Sequence, residues 1–243
     1  SALRVLAEVK MGLGAYRSAL RDLDLAYAQL EPLSIKPLAL DYRGVFLCRA
    51  DVLWLIAECL VCIGDEAQLP RASQVLATSL GLYQDADDDV GRAVALQLKG
   101  HLLMMTGKMV DAYKCLSESI LLLQRAEDLD RLAETLCLRA QLGIGMCNLA
   151  MAREDLESAL GILRAQGNLV TQSIAWRLTA ECEMAVNDHH RAHEALLQCK
   201  KFARAVFSEF LEATAEQLLG DLFTNSCVPG ETKPQLDKAW QHL

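Results

Sequence analysis

Aromatic residues make up only 5% of this chain of 243, prolines number five, and no window alternates apolar and polar residues over a strand's length. A large sandwich or barrel is thereby excluded, since such folds draw on β-branched and aromatic residues at period two. Basic runs are missing as well: no Lys/Arg cluster exceeds two or three residues, and the net charge is -8. Direct binding to nucleic acid or to an anionic membrane needs a basic footprint, so neither is expected as a partner. The most apolar stretch, ALDYRGVFLCRADVLWLIAECLVCIG, is interrupted by Arg49, Asp51 and Glu58 well short of a membrane span, and no signal peptide is visible.

The motifs of catalysis are absent in the same way. There is no GxxxxGK[ST] and no GxSxG, and Gly143-Ile-Gly145 lacks a third glycine and sits in a helical pattern. The chain reads as a non-enzyme without cofactor or metal.

What remains is Leu and Ala at helical spacing, which makes the expected fold all-α. Nine cysteines, an odd number, mostly occupy positions where a helix would bury a small residue. They read as free thiols in a reducing compartment, hence an intracellular protein, cytoplasmic or nuclear. The start, SALRV, lacks Met and falls inside a helical pattern, so the chain reads as a fragment of a longer protein.

The stretch GAYRSAL at 14 to 20 returns in weakened form as GKMVDAY at 107 to 113. Aligned on it, four units share a turn residue, Ala five positions on, Leu four after that and a small residue three later. They are Gly14/Ala19/Leu23/Ala26, Gly107/Ala112/Leu116/Ser119, Cys147/Ala152/Leu156/Ala159 and Asn187/Ala192/Leu196/Cys199. A fifth, Gly64/Ala72/Leu76/Ser79, fits with about three residues inserted around DEAQLP. Seven residues before each turn stands another small residue: Ala7, Ala57, Gly100, Ala140 and Ala180. A helical hairpin explains all of these positions. The first helix needs a small residue where its partner crosses, the turn needs a residue tolerant of unusual backbone angles, and the second helix needs Ala against the first.

Turns at 14, 64, 107, 147 and 187 are 50, 43, 40 and 40 residues apart. That spacing accommodates two helices of 16 to 18 residues with short connections, as in a solenoid whose stacked hairpins are the core. Helices are expected at 2–12, 15–30, 38–63, 69–83, 89–106, 109–125, 130–147, 149–165, 170–186, 189–205 and 207–224, the third long enough for two helices broken near Gly44, with a short final helix after Pro234. The whole of 1–243 reads as one domain of about five hairpins plus C-terminal helices.

The spacing of Trp176, Ala180, Asn187, Ala192 and Leu196, and the Gly-x-Tyr-x-x-Ala of Gly14, Tyr16 and Ala19, resembles the tetratricopeptide repeat over about residues 2 to 205. The longer period and the turns carrying Cys147 and Asn187 resemble its long-helix variants of about forty residues. The resemblance implies a right-handed superhelical solenoid of antiparallel helix pairs that binds an extended protein segment in its concave groove. A finer likeness, in LKGHLLMMTGKMVDAYKCLSES, AEDLDRL and AHEA followed by KKF, is to the last repeats of the tetratricopeptide subunit of the cohesin loader. It implies a nuclear protein that wraps a segment of a large partner subunit.

Carried onto this chain, the family's groove positions fall on Arg4, Trp54, Gln97, Cys137 and Arg177, then Glu8, Glu58, His101, Gln141 and Glu181, then Met11, Val61, Met104, Ile144 and Met184. The expected partner contacts are Trp54, Glu58, His101, Met104, Arg177, Glu181 and Met184. A row with three glutamates beside a Met-rich row suits a partner segment that is both basic and apolar. A solvated helix face would also be rich in Glu, and groove-lining Met is also a core pattern. The Lys, Arg and Asn set by which the family's chaperone-binding members clamp a terminal carboxylate is absent. Two other roles fit the sequence: an assembly element pairing through the solenoid's ends, and a regulatory repeat domain of a larger enzyme or signalling ATPase.

Three clusters invite chemistry and have plainer readings. Cys59-Leu-Val-Cys62 has redox or half-zinc spacing, but no second CxxC follows and packing in an apolar helix is the simpler role. His189, His190 and His193 lack the Glu of HExxH and read as solvated surface. Asp85, Asp87 and Asp89 mimic a calcium loop, yet Val90 and Leu96 stand where Gly and Glu are required, and capping of the next helix suffices.

Overall fold

A twenty-residue rhythm builds the chain. In the computed structural model, which describes residues 2–30 and 42–226, eleven α-helices and one 3-10 turn are present and no strand occurs among those residues. They are α1 (Ala2–Gly12), α2 (Tyr16–Leu30), α3 (Tyr42–Ile63), α4 (Leu69–Asp85), α5 (Asp89–Met105), α6 (Met109–Arg125), α7 (Leu129–Gly145), α8 (Leu149–Gln166), α9 (Leu169–Ala185), α10 (His189–Ala205) and α11 (Glu209–Ser226). From α5 onward each helix starts twenty residues after the one before. Asp87, Gly107, Glu127, Cys147, Gly167, Asn187 and Phe207 take left-handed φ between 53° and 76°.

The turn between helices explains this regularity. At Cys147 the amide bonds back to the Ile144 carbonyl at 3.0 Å, and the Asn148 amide bonds to the Gly143 carbonyl at 2.8 Å. This pair of bonds closes a helix through one left-handed residue and satisfies its last carbonyls. The residue after the left-handed one then caps the next helix: side-chain oxygens of Asp88, Asp128, Asn168 and Asp188 accept from the amides of Gly91, Arg131, Thr171 and Arg191 at 3.0 to 3.2 Å. Three residues thus end one helix and start another, and the aspartates at 85 to 89 serve that purpose through Asp88.

Hairpin α3/α4 breaks the rhythm. The 3-10 turn Glu66–Gln68, whose N-cap Asp65 accepts from the Ala67 amide at 3.0 Å, lengthens its connection where the DEAQLP insertion was placed. Helix α3 runs unbroken across Gly44, because a glycine without a left-handed angle or a missing hydrogen bond weakens a helix without ending it. The start of this helix at 38 to 41, the EPLSIKP loop and the helix after Pro234 lie outside the described residues.

The chain forms two compact units, Ser1–Thr135 and Leu136–Leu243. In the first, α1 to α6 pack in chain order, each on the next; in the second, α8 packs on α9, α9 on α10 and α10 on α11. The repeated small residues are where the sequence puts them. Ala7, Ala57, Ala140 and Ala180 are fully buried, as are Ala19, Ala72, Ala112, Ala152 and Ala192. The knobs Leu23, Leu76, Leu116, Leu156 and Leu196 are buried between them, each contributing about 1.5–3 kcal/mol of apolar burial.

Polar atoms in these layers are matched. Ser79 Oγ donates to the Ala50 carbonyl at 2.8 Å, and Ser119 Oγ donates to the Ala93 carbonyl at 2.8 Å. In α9/α10 the serine has changed sides, and Ser173 Oγ donates to the Cys199 carbonyl at 3.0 Å. At these three crossings one hydroxyl is buried with its donor paired.

Candidate partner-binding face

The first helices of unit 1 carry a face of mixed chemistry. A groove of about 330 Å³ is lined by Arg4 and Glu8 of α1, Asp51, Trp54 and Leu55 of α3, Tyr83 of α4, Asp88 in the following turn, Val90, Gly91 and Val94 of α5, and Arg131 at the start of α7. Residues 51, 54 and 55 share one side of α3 because helical neighbours recur at three and four.

Asp51 organises the groove. It accepts from Arg4 Nη1 at 2.6 Å and from the Tyr83 hydroxyl at 2.9 Å. Burial, reinforced by the Asp51 charge, pushes the Tyr83 phenol up, so it stays a donor at any physiological pH. Gly91 is what lets this ring lie where it does, since a Cβ there would stand 2.4 Å from Tyr83 Cδ1. Trp54 is half-buried, packs against both apolar clusters of the unit, and has its indole Nε1 buried without a hydrogen-bond partner among the described residues.

The expected contacts divide between the units. Trp54 lines the groove, whereas Glu58, His101 and Met104, all half-buried in the same unit on α3 and α5, lie outside its lining. Arg177, Glu181 and Met184 are half-buried on α9 of unit 2. The glutamate row is less free than its spacing suggests. Glu8 pairs with Arg4 Nε at 3.2 Å, and Glu181 pairs with Arg177 one turn away on its own helix. Glu58 has no ion-pair partner among the described residues, and burial raises its carboxyl pKa. Burial likewise lowers the His101 imidazole, which is neutral at pH 7.

Several residues here were not expected from the sequence. Asp51 was read only as a break in an apolar run, and Tyr83 and Asp88 fit no groove position. The i and i+4 pairings of Arg4 with Glu8 and Arg177 with Glu181 were legible in the spacing.

The other clusters have structural roles. Burial pushes the Cys59 thiol up to about 12, with the Glu58 charge adding to it, so no thiolate forms at neutral pH. His190 is exposed with Nδ1 3.9 Å from Glu194, but His189 and His193 are half-buried against their hairpin, which corrects the reading of all three as solvated surface. In unit 2, Trp176 lines two cavities, one between α8 and α9 and one between α9 and α10, with the Arg164 guanidinium 5.7 Å from its ring centre. Among the described residues no three His, Cys, Asp or Glu could hold a metal ion, and no helix is long and apolar enough to cross a membrane.

No family model matches the chain, and no curated protein matches it by sequence. Solved structures do match it. A Signal Transduction ATPase with Numerous Domains (STAND) protein with a tetratricopeptide repeat sensor, from Pyrococcus horikoshii, superposes over 93% of this chain with a TM-score of 0.73 at 12% identity. The fold is of the tetratricopeptide-repeat type. The chain spans 33% of that ATPase. Two further solved structures superpose on it: the putative kinesin light chain nearly identical TPR-like repeats of Podosopora anserina, with a TM-score of 0.60 at 14% identity over 84% of this chain and 95% of that one, and BtubC (BKLC) from P. vanneervenii, with 0.61 at 11% over 90% and 96%. At these identities the likeness extends to the fold alone.

Proposed function

We propose that this tetratricopeptide-type chain is a non-enzymatic scaffold that binds an extended, basic and apolar segment of a partner protein on the first-helix face of unit 1, as part of a larger complex. The observation that carries the reading is the groove at Trp54, where a half-buried indole stands among three carboxylates, Glu8, Asp51 and Asp88, against two cations, Arg4 and Arg131. Aromatic anchors dominate such interfaces, and carboxylates flanking one favour a Lys or Arg in the segment laid across it. Glu58, one turn beyond on α3 and without an ion-pair partner among the described residues, extends the acidic character; His101 and Met104 provide neutral, adaptable contacts on α5. Arg177, Glu181 and Met184, on α9 of unit 2, are secondary contacts.

Rigid helices hold the unit 1 side chains in fixed register, so the partner segment alone gives up conformational freedom on docking there. The test is an array of 15-residue peptides of graded charge and hydropathy, probed with the wild-type chain and with Glu58→Lys. Retention of Lys- and Arg-bearing apolar peptides, weakened by Glu58→Lys, supports the reading; retention indifferent to peptide charge sinks it.

A second reading is favoured by the match to a repeat sensor within a signalling ATPase: the chain is the repeat part of a longer regulatory protein. A third, an assembly subunit resembling that of the cohesin loader, rests on the sequence likeness at 92 to 213. The mass of the endogenous protein and of the complex it migrates in separates these from the first.

A further inference from the structure

A second groove of unit 1 leans to the opposite charge from the one at Trp54. It lies between α4 and α5, beside the turns of hairpins α3/α4 and α5/α6, and encloses about 650 Å³. Leu69 of α4 and Leu102, Leu103 and Met105 of α5 give it an apolar surface, with Met105 45% exposed. The charged residues in its lining are Lys99, Lys108 and Glu66, and none of them has an ion-pair partner among the described residues. Carboxylates are in excess in this chain of net charge -8, and Lys10, Arg71 and Arg92 of the same unit are taken up by Asp22, Asp24 and Glu118. Lys99 and Lys108 are left open. No residue of this groove lines the one at Trp54.

Lys108 also breaks a local rule. At 88, 128, 148, 168, 188 and 208 a side-chain oxygen accepts from the amide three residues on and caps the helix that follows. Lys108 holds the same place before α6 and has no acceptor to offer, so α6 begins without a side-chain cap. A cation there also opposes the partial positive charge of the helix start. The lysine weakens α6 locally, and stability does not explain it. Helix α4, whose first turn forms one side of the groove, likewise starts at Gln68 without a side-chain cap. Two lysines and two uncapped helix starts thus border one apolar surface, against the single carboxylate of Glu66.

We propose that this groove docks a partner-protein segment that is acidic and apolar, a short stretch in which Asp or Glu flanks a Leu, Met or Phe. The lysines and helix starts complement its carboxylates, and the leucines with the adaptable Met105 receive its apolar side chain. Such a segment is opposite in charge to the one suited to the Trp54 groove, so the two surfaces take separate segments.

The test is an array of 15-residue peptides in which Leu, Met or Phe alternates with Asp and Glu, beside a matching array built with Lys and Arg. Salt is held at about 0.15 M, where screening within about 8 Å leaves local charges to decide. Both arrays are probed with the wild-type chain, with Lys99→Gln/Lys108→Asp and with Glu58→Lys. Aspartate at 108 supplies the cap that its counterparts have, so the double variant should melt no lower than the wild type while it loses the peptides. The expected result is acidic, apolar peptides retained by the wild type, bound at least tenfold more weakly by the double variant and undiminished by Glu58→Lys. Retention of no acidic peptide overturns the proposal, and retention that survives in the double variant overturns it by placing the binding elsewhere. Weaker binding accompanied by a lower melting temperature overturns it by giving the lysines a structural role. Displacement of the peptide by equimolar inorganic phosphate or free aspartate overturns it in favour of a small-anion site.

Discussion

Leu116 of α6 sits so tightly against Gly100 of α5 that a single added methyl on the glycine would come within 2.7 Å of the leucine's Cγ. Glycine in a helix interior is normally a weakness, so its presence here marks a packing demand that outweighs helix propensity. Gly100→Ala is expected to destabilise unit 1 by about 1–3 kcal/mol through overpacking, although alanine is the better helix former. A urea melt showing equal or greater stability would mean that the layer has room to give.

Asp155 on α8 is almost wholly buried and accepts two bonds from Arg139 of α7, at 2.8 Å from Nε and 2.6 Å from Nη2. Removing the cation alone leaves a buried carboxylate, so Arg139→Met is expected to cost about 3–5 kcal/mol. The double substitution Arg139→Met/Asp155→Leu should recover most of that loss. Thermal denaturation of the three proteins distinguishes a costly orphan charge from a pair that matters in itself.

Phe207 holds a left-handed φ of 53° with 93% of its surface exposed. A bulky residue is strained there and loses little packing when removed, so Phe207→Gly is expected to stabilise unit 2 by about 1 kcal/mol. A loss of stability on the same substitution would show that the ring packs against something other than the described residues.

Glu58 carries a pH signature. Its folded-state pKa is raised by burial, so the folded form is favoured while the group is protonated, and that advantage is lost as pH rises from the ordinary carboxylate value through the raised one. Glu58→Gln should therefore be the more stable protein at pH 7, by up to about 0.5 kcal/mol. The difference should vanish below about pH 4, where the wild-type side chain is protonated in both states. A difference that persists in acid would assign the effect to shape and not to charge.

The ladder of small residues was readable because the geometry of crossing helices admits few alternatives. Gly14, Gly64, Gly107, Cys147 and Asn187 all hold the left-handed angle expected of turn residues, and Ala19, Leu23 and their equivalents are buried. In the alternate set of turns, placed from the sequence as gaps between helices, the left-handed residue was hidden because Asp87, Glu127 and Phe207 take that angle without being glycine. Its signal lay one residue on, in Asp88, Asp128, Asn168 and Ser208 at forty-residue spacing. The binding face was legible only as a row of positions. Which charges remain open depends on neighbours in three dimensions, as Asp51 shows by holding Arg4 from α1 and Tyr83 from α4 at once.

The most direct measurement is the hydrogen-exchange footprint of the tightest-binding basic, apolar peptide on the wild-type chain. Slowed exchange concentrated in α1, α3 and α5 around Trp54, and lost with Glu58→Lys, is the predicted result. A footprint confined to second helices or to unit 2 would contradict the assignment of binding to the first-helix face of unit 1.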